Sequence, residues 1–167
     1  GGFMYRVGIL VMSDKGVRGE RIDESGKEIM DLLHRLNAEV SFYEVVPDEK
    51  DIIRQKLIYM CDTLKLDLVL TSGGTGFSER DVTPEATYSV IEKFVPGIPD
   101  AIRWYGLQKT PRAMLSRATA GIRKKTLIIN LPGSVKGVRE SLEAIIDTLP
   151  HGLDVLKGNS GDCGQPV

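Results

Sequence analysis

The apolar positions along this chain follow two periods, one typical of strands and one typical of helices. Short apolar runs predict four strands, at Tyr5–Met12, Val40–Val46, Leu68–Leu70 and Thr126–Asn130. Apolar residues at three- and four-residue spacing predict helices around 25–36, 53–64, 83–94, 101–108, 138–149 and 153–156. This alternation is typical of an α/β domain in which helices cover both faces of a mostly parallel sheet.

Local signals set the expected ends of several elements. Ser25 with Glu28 three residues later fits a capping box, and Thr83 followed by Pro84 is a typical helix start. The stretch Pro96–Pro99 is expected to interrupt regular structure. No internal repeat or linker divides the chain. We therefore expect one three-layer domain over residues 1–167, with a core of about 5–157 and a loose tail at 158–167.

A glycine-rich turn follows the third predicted strand. It consists of Ser72, Gly73, Gly74, Thr75 and Gly76, and we call it the glycine turn. Glycines at this density let the backbone turn sharply and present its N–H groups to an anion. The turn lacks the third glycine of the dinucleotide fingerprint and the Lys-Ser/Thr pair of a P-loop. It predicts an unusual phosphate-binding corner, with a plain turn as the alternative.

Other strand ends carry polar residues that we expect at the same edge of the sheet, because the carboxyl ends of parallel strands meet there. These residues are Ser13, Asp14, Asp48, Asn130, Pro132, Gly133 and Ser134. Asp81 adds a carboxylate from the loop after the glycine turn. Mg²⁺ takes one or two protein carboxylates together with phosphate oxygens. The pattern therefore predicts a Mg²⁺–nucleotide site with Asp48 and Asp81 as metal ligands.

Each of these residues also has a purely structural interpretation. Asp48 precedes a predicted helix that it could cap, and Asp81 could pair with Arg80 or cap the helix at Thr83. Ser13 and Asp14 are common turn residues, and Ser134 is a natural helix N-cap. Their joint placement at one edge of the sheet favours a shared function.

Composition and charge narrow the possible partners. The net charge of −1 and the lack of a basic stripe argue against nucleic acid as a partner. Cys61 and Cys163 lie far apart, and His34 and His151 have no neighbouring ligand candidates, so a structural zinc is not expected. No apolar run approaches 18 residues and no signal peptide is recognised, so we expect a cytoplasmic protein without a membrane span.

Several motifs, in the same order, resemble those of the molybdopterin adenylyltransferases, the MogA/MoaB family that includes the plant Cnx and gephyrin G domains. The strongest is TSGGTGFSERDVTPEAT, over residues 71–87. The others are Val46-Pro47-Asp48, PRAMLSR at 111–117, Ala120–Arg123 and TLIINLPGS at 126–134. The resemblance covers nearly the whole chain, roughly Tyr5 to Leu156.

The resemblance implies the molybdenum cofactor biosynthesis protein fold, commonly as a homotrimer. It implies transfer of AMP from Mg-ATP to molybdopterin, with release of pyrophosphate and delivery to a molybdate-inserting, MoeA-like enzyme. In this family the two essential aspartates match Asp48 and Asp81. Ser72–Gly76 and Asn130–Ser134 match positions that hold the nucleotide and pterin phosphates, and Ser116 matches a position in the substrate pocket.

Two other functions stay open. A nucleotide pyrophosphatase of the competence-damage type shares the fold and the glycine signature, although the PRAMLSR and NLPGS motifs favour the transferase. A non-catalytic molybdopterin scaffold is the second alternative, and the presence of both Asp48 and Asp81 argues against it. The sequence does not distinguish the MogA from the MoaB subtype, molybdenum from tungsten, or Mg²⁺ from Mn²⁺.

Overall fold

A computed structural model describes residues 4–20 and 23–158. Its strands are β1 (Tyr5–Met12), β2 (Ala38–Val46), β3 (Leu68–Ser72), β4 (Lys93–Phe94), β5 (Ala120–Arg123) and β6 (Thr126–Leu131). They form one six-stranded sheet in the order β2-β1-β3-β6-β5-β4. The first four strands in this order are parallel, and the two contacts made by β5 are antiparallel. The predicted mostly parallel sheet is confirmed.

Helices connect the strands. They are α1 (Asp14–Val17), α2 (Glu24–Leu32), α3 (Lys50–Ile58), α4 (Thr83–Tyr88), α5 (Gly97–Leu107), α6 (Val135–Ile145) and α7 (Leu149–Lys157). Short 3₁₀ turns lie at Leu33–Arg35 and Pro111–Leu115, and α3 continues as a π-helical turn over Tyr59–Thr63. None of the helices in the described ranges is long and apolar enough to cross a membrane.

The sheet carries a hydrophobic core on each face, which makes the three layers. One core joins Ile9, Leu70 and Ile129 of the strands to apolar residues of α2, α6 and α7. The other joins Leu10, Val69 and Ile128 to residues of α3 and α4. Successive residues of each central strand thus point to opposite faces, and both faces are buried, as expected for a sheet covered on both sides.

The register of the parallel strands aligns their carboxyl ends. Met12 of β1 pairs with Val46 of β2, and Ser72 of β3 pairs with both Val11 of β1 and Leu131 of β6. The loops that follow these strands therefore emerge side by side. The chain runs from β1 outward to β2 and then returns to β3 on the other side of β1, so the edge between β1 and β3 is a topological switch point, where ligands of open α/β sheets bind.

Four local predictions were wrong. Asp23, rather than Ser25, caps α2, and Val82, rather than Thr83, is the N-cap of α4. The helix predicted over 83–94 ends at Tyr88, and Phe94 belongs to the edge strand β4. Pro96–Pro99 starts α5 instead of interrupting the structure, because proline fits the first helical turn, where its missing N–H costs nothing. Of the predicted loose tail at 158–167, residues 159–167 lie outside the described ranges.

Candidate active site

A cavity of about 870 Å³ opens at the carboxyl edge of the sheet, beside the β1–β3 switch point. Loops after β1, β2, β3 and β6 all contribute to its wall. The predicted residues that line it are Ser13, Asp14, Asp48, Ser72, Gly73, Gly74, Asp81, Gly133 and Ser134. The structure thus brings together residues that are far apart in the chain, as the pattern of strand ends predicted.

The glycine turn needs glycine for both conformation and space. Gly73 has φ +100° and Gly74 has φ +70°, a region that side chains strongly disfavour. A Cβ on Gly73 would lie 2.6 Å from the Met12 carbonyl oxygen. A Cβ on Gly74 would lie 2.2 Å from Thr83 Oγ1 and 3.3 Å from Asp48 Oδ1. The turn therefore packs closely on β1 and brings its backbone near the Asp48 carboxylate.

Asp48 is locked to Asp14 by a reciprocal pair of hydrogen bonds. The Asp14 N–H donates to Asp48 Oδ2 at 3.2 Å, and the Asp48 N–H donates to Asp14 Oδ1 at 2.9 Å. Arg80 donates to both oxygens of Asp14, at 3.0 and 2.9 Å, and this guanidinium holds the pKa of Asp14 below its ordinary value. Asp14 is therefore already committed to an ion pair, whereas Asp48 still faces the cavity.

The environment of Asp48 disfavours its negative charge. Burial raises its pKa above the ordinary aspartate value, and the nearby carboxylates of Asp14 and Asp81 add to the rise. A bound cation would relieve this repulsion and lower the pKa again. Raised carboxylate pKa values of this kind are found at metal and catalytic sites.

Asp81 reaches the same cavity from the far side of the glycine turn. Its Oδ2 accepts a hydrogen bond from the Ser78 N–H at 3.0 Å and lies 2.9 Å from where a Cβ on Gly76 would be. Gly76 is thus the position that leaves room for this carboxylate. Asp48 therefore lies beside Gly74 of the turn, and Asp81 lies beside Gly76.

Other predicted site residues do not line the cavity. They are Thr75, Gly76, Ser116, Asn130 and Pro132. The buried Asn130 amide donates to the Thr71 and Thr87 hydroxyls, both at 3.0 Å, and accepts from the Thr119 N–H at 3.1 Å. The Ser116 hydroxyl accepts from the Ala118 N–H at 3.3 Å. The Pro132 carbonyl accepts from the Ser72 hydroxyl at 2.8 Å.

Comparison with known proteins now identifies the family. The model of the family described as probable molybdopterin binding domain matches residues 8–151 of this chain. This chain belongs to that family. The resemblance drawn from the motifs is confirmed.

Individual proteins of this family are similar to this chain over nearly its whole length. The chain is 47% identical over 155 residues to the molybdopterin adenylyltransferase of Helicobacter pylori, covering 92% of this chain and 88% of that protein. The solved molybdopterin biosynthesis enzyme MoaB of Thermus thermophilus shares 52% identity with a TM-score of 0.89, over 93% of this chain and 98% of that one. CinA of Thermoplasma acidophilum, at 19% identity and a TM-score of 0.64 over 86% and 97% of the two chains, shares the fold alone.

Some residues of the cavity in this family member were not found by sequence reasoning. Its outer wall includes Glu20, Asp23, Glu24 and Ser25. Asp23 caps α2 and also accepts a hydrogen bond from the Tyr43 hydroxyl. No motif marks Glu20, Asp23 or Glu24, and the capping box at Ser25 indicates a helix start, not a binding site. The only sequence feature that hinted at a role for these residues was the high charge of the loop before the predicted helix start at Ser25. Charge alone does not indicate whether this loop folds toward the cavity.

The residues that face the cavity fit a hard divalent cation. Two carboxylates, Asp48 and Asp81, lie beside the glycine turn, and the pKa of Asp48 is raised by burial and further by the neighbouring carboxylates. The described residues contain no group of three or more His, Cys, Asp or Glu that could hold a metal by themselves. Mg²⁺ fits this donor set, since it binds through one or two carboxylates together with waters and substrate phosphates.

Replacing Asn130 with alanine is expected to lower stability rather than substrate affinity. The change leaves the buried Thr119 N–H and the buried Thr71 hydroxyl without this partner, at a cost of roughly 1–3 kcal/mol per unsatisfied group. The Thr87 hydroxyl keeps its bond to the Thr83 carbonyl. Urea unfolding should show a lower free energy of unfolding. The KM for ATP and for molybdopterin, the substrates that the resemblance implies, should not change. Gln55→Ala, at an exposed amide on α3, is the control. A raised KM at unchanged stability would instead place Asn130 in phosphate binding.

Proposed function

We propose that this protein transfers AMP from Mg-ATP to the terminal phosphate of molybdopterin and releases pyrophosphate. The observation that supports this most is the meeting of Asp48, Asp81 and the glycine turn in one cavity of about 870 Å³. A cavity of this volume is at the upper end of the usual range for ligand sites and suits two substrates held side by side. The name of the Helicobacter pylori relative, molybdopterin adenylyltransferase, describes the same reaction.

In the proposed reaction, a phosphate oxygen of molybdopterin attacks the α-phosphorus of ATP. The bond between that phosphorus and the bridging oxygen to the β-phosphate breaks, and pyrophosphate leaves with the electron pair. No covalent enzyme intermediate is needed. The protein's task is to align two anions and to stabilise the charge that develops on the phosphates.

Two backbone features would hold the phosphates. The glycine turn lines the cavity at Gly73 and Gly74. The Gly73 N–H donates to the Leu131 carbonyl at 3.0 Å, so the Gly74 N–H is the group of these two that would meet a phosphate. Gly133, Ser134 and Val135 bring the start of α6 to the cavity beside the glycine turn, since a Cβ on Gly133 would lie 3.4 Å from the Gly73 Cα. The N-terminus of an eleven-residue helix favours a negative charge through its unpaired N–H groups and its dipole. The Ser134 hydroxyl caps this helix by accepting from the Gly137 N–H at 3.0 Å.

Asp48 and Asp81 would hold the magnesium ion that accompanies ATP. When bound, this ion neutralises charge on the triphosphate and on the departing pyrophosphate. Asp14 and Arg80 support the arrangement, because Asp14 fixes the backbone of Asp48 and Arg80 neutralises Asp14.

The reaction products distinguish the proposed AMP transfer from the competing pyrophosphatase activity. Incubation with ATP and molybdopterin in Mg²⁺ should yield an adenylylated pterin, and incubation with ADP-ribose and Mg²⁺ should yield no AMP. The opposite result would assign the site to diphosphate hydrolysis.

We further propose that the protein is a homotrimer and that it hands its product to a molybdate-inserting, MoeA-like enzyme. Large apolar side chains are exposed between residues 77 and 115, among them Phe77 (72% exposed), Phe94 (65%), Trp104 (69%) and Met114 (62%). Exposed apolar surface of this kind marks interfaces.

Replacing Trp104 with serine is therefore expected to weaken the trimer. Sedimentation equilibrium should show three chains for the unmodified protein and a shift toward single chains for Trp104→Ser. Tyr59→Ser, at a side chain 42% exposed on the π-helical turn, should leave the assembly intact. Identical masses for all three proteins at micromolar concentration would remove Trp104 from the interface.

A further inference from the structure

Arg117 makes four hydrogen bonds to the segment 75–85, which runs from the end of the glycine turn into α4. Its backbone N–H donates to the Thr75 carbonyl at 2.9 Å. Its Nε donates to the Gly76 carbonyl at 2.8 Å and its Nη2 to the Asp81 carbonyl at 2.7 Å. Its Nη1 donates to Glu85 Oε2 at 2.6 Å. Three of these bonds come from the guanidinium group, and no other cationic side chain in the described ranges donates as many hydrogen bonds to this segment.

These bonds close the base of an exposed tip, residues 77–80. Gly76 directly precedes the tip and Asp81 directly follows it, and one guanidinium binds the carbonyl groups of both. The tip itself is exposed, with Phe77 72% exposed. The bonds between Ser78 and Asp81 are local to this segment. Arg80 attaches the tip itself to Asp14, at 3.0 and 2.9 Å. Arg117 binds the base of the tip from a distant part of the chain.

Arg117 is itself held firmly. Arg103 of α5 donates from Nη1 to the carbonyl groups on either side, those of Ser116 at 3.2 Å and Ala118 at 2.9 Å. The next residue, Thr119, donates its N–H to the buried Asn130 side chain at 3.1 Å. The backbone around Arg117 is therefore attached to the core of the domain and does not move freely with the tip.

We call the set of hydrogen bonds from the Arg117 side chain the clamp, and it depends on the planar shape of the guanidinium group. A planar guanidinium can donate along several fixed directions at once, whereas a lysine ammonium is a compact charge on a flexible stem. Arg117 also lowers the pKa of Glu85, which keeps that carboxylate ionised beside it. Lysine at this position would preserve the charge beside Glu85 but would not span the Gly76 and Asp81 carbonyl groups together.

We propose that Arg117 is a positioning residue that sets the place of the Asp81 carboxylate in the cavity by clamping the carbonyl groups of Gly76 and Asp81. It does not line the cavity. Its effect on catalysis passes through Asp81 and the bound metal. This inference rests on the proposed function, in which Asp81 is a magnesium ligand.

The test compares Arg117→Ala and Arg117→Lys with the unmodified protein as full chains. Loss of an outer support of a metal ligand typically costs 10–100-fold in metal affinity or activity. For both variants we expect the Mg²⁺ concentration for half-maximal AMP transfer to rise roughly 10–100-fold, with partial recovery of kcat at high Mg²⁺. Backbone hydrogen–deuterium exchange over residues 73–85 should also become faster, without substrates present.

Arg123→Ala is the matched control. Arg123 donates two hydrogen bonds to Asp62, at 3.0 and 2.8 Å, and one to the Val90 carbonyl, at 2.9 Å. Replacing it with alanine therefore removes a comparable set of guanidinium bonds at a place away from the cavity. This variant should lose stability but keep the magnesium dependence and the slow exchange of 73–85. A magnesium dependence shifted equally by Arg123→Ala, or unchanged in Arg117→Ala, would overturn the inference.

The remaining outcomes are also decisive. If Arg117→Ala does not fold, Arg117→Lys carries the test, and a lysine variant that behaves as the unmodified protein contradicts the clamp. If the unmodified protein transfers no AMP, the proposed function fails. The exchange measurement then decides separately whether Arg117 holds the segment: slow exchange in Arg117→Ala contradicts the inference, and fast exchange supports it.

Discussion

Asp48→Asn and Asp81→Asn are each expected to lower the rate of AMP transfer by roughly 10²–10³-fold, the usual cost of losing one well-placed electrostatic contact. Asparagine keeps the size of the side chain and removes the negative charge that would hold Mg²⁺. At position 48 it also retains an oxygen that can accept from the Asp14 N–H. The fold should therefore survive, and pterin binding should change little. Initial rates of pyrophosphate release with saturating ATP and molybdopterin measure the effect.

Asp51→Asn is the control for these two variants. Asp51 lies three residues after Asp48 in the first turn of α3, and it is exposed and absent from the lining of the large cavity. Its replacement should leave the rate within twofold of the unmodified protein, about the smallest change that initial rates resolve, or roughly 0.4 kcal/mol. Rates near the unmodified value in either Asp48→Asn or Asp81→Asn would remove that aspartate from the mechanism.

Gly73→Ala is expected to produce the largest loss of stability among substitutions in the glycine turn. An alanine Cβ would lie 2.6 Å from the Met12 carbonyl oxygen, a backbone atom that cannot move aside by rotation. The left-handed backbone adds roughly 1–2 kcal/mol and the overpacking roughly 1–3 kcal/mol. Because the turn must shift to accommodate the methyl group, ATP-dependent turnover should fall as well. Chemical denaturation and initial rates test both effects.

Gly158→Ala separates backbone strain from crowding. Gly158 has φ +79°, and a Cβ there would have no atom within 4 Å. This variant should show only the strain of roughly 1–2 kcal/mol and keep its activity. Equal losses of stability in the two alanine variants would show that the contact between the glycine turn and β1 does not matter.

The sequence predicted the parts of the fold that are locally encoded. β1, β3 and β6 contain near-continuous apolar runs, because strands buried on both faces are apolar at most positions. Since parallel strands end at one edge, their positions also predicted that Ser13, Asp48, Gly73 and Gly133 would meet in one place. The cavity confirms that placement.

The sequence did not predict elements that are short or exposed. β4 has only two residues, both exposed, and β5 has four, so neither shows a period that can be recognised. Their pairing depends on β6, which offers its free edge to β5. The proline-rich stretch before α5 was misinterpreted because proline both interrupts a helix and favours its first turn.

The sequence also could not show which way the polar side chains at the end of β6 point. Asn130 and Ser134 are four residues apart, yet Asn130 enters a buried network while Ser134 lines the cavity. Similarly, nothing near Arg117 in the sequence indicates that it reaches Gly76 and Asp81, since that contact joins segments about forty residues apart. Such long-range contacts depend on the assembled sheet.

The most direct test of the central claim follows the α-phosphate of ATP. The protein is mixed with molybdopterin, Mg²⁺ and ATP labelled at the α-phosphorus, and the products are separated by chromatography. The proposed mechanism predicts that the label appears in adenylylated molybdopterin and that one pyrophosphate is released for each AMP transferred. Label that stays in ATP, or that appears only in free AMP while molybdopterin is unchanged, would contradict it.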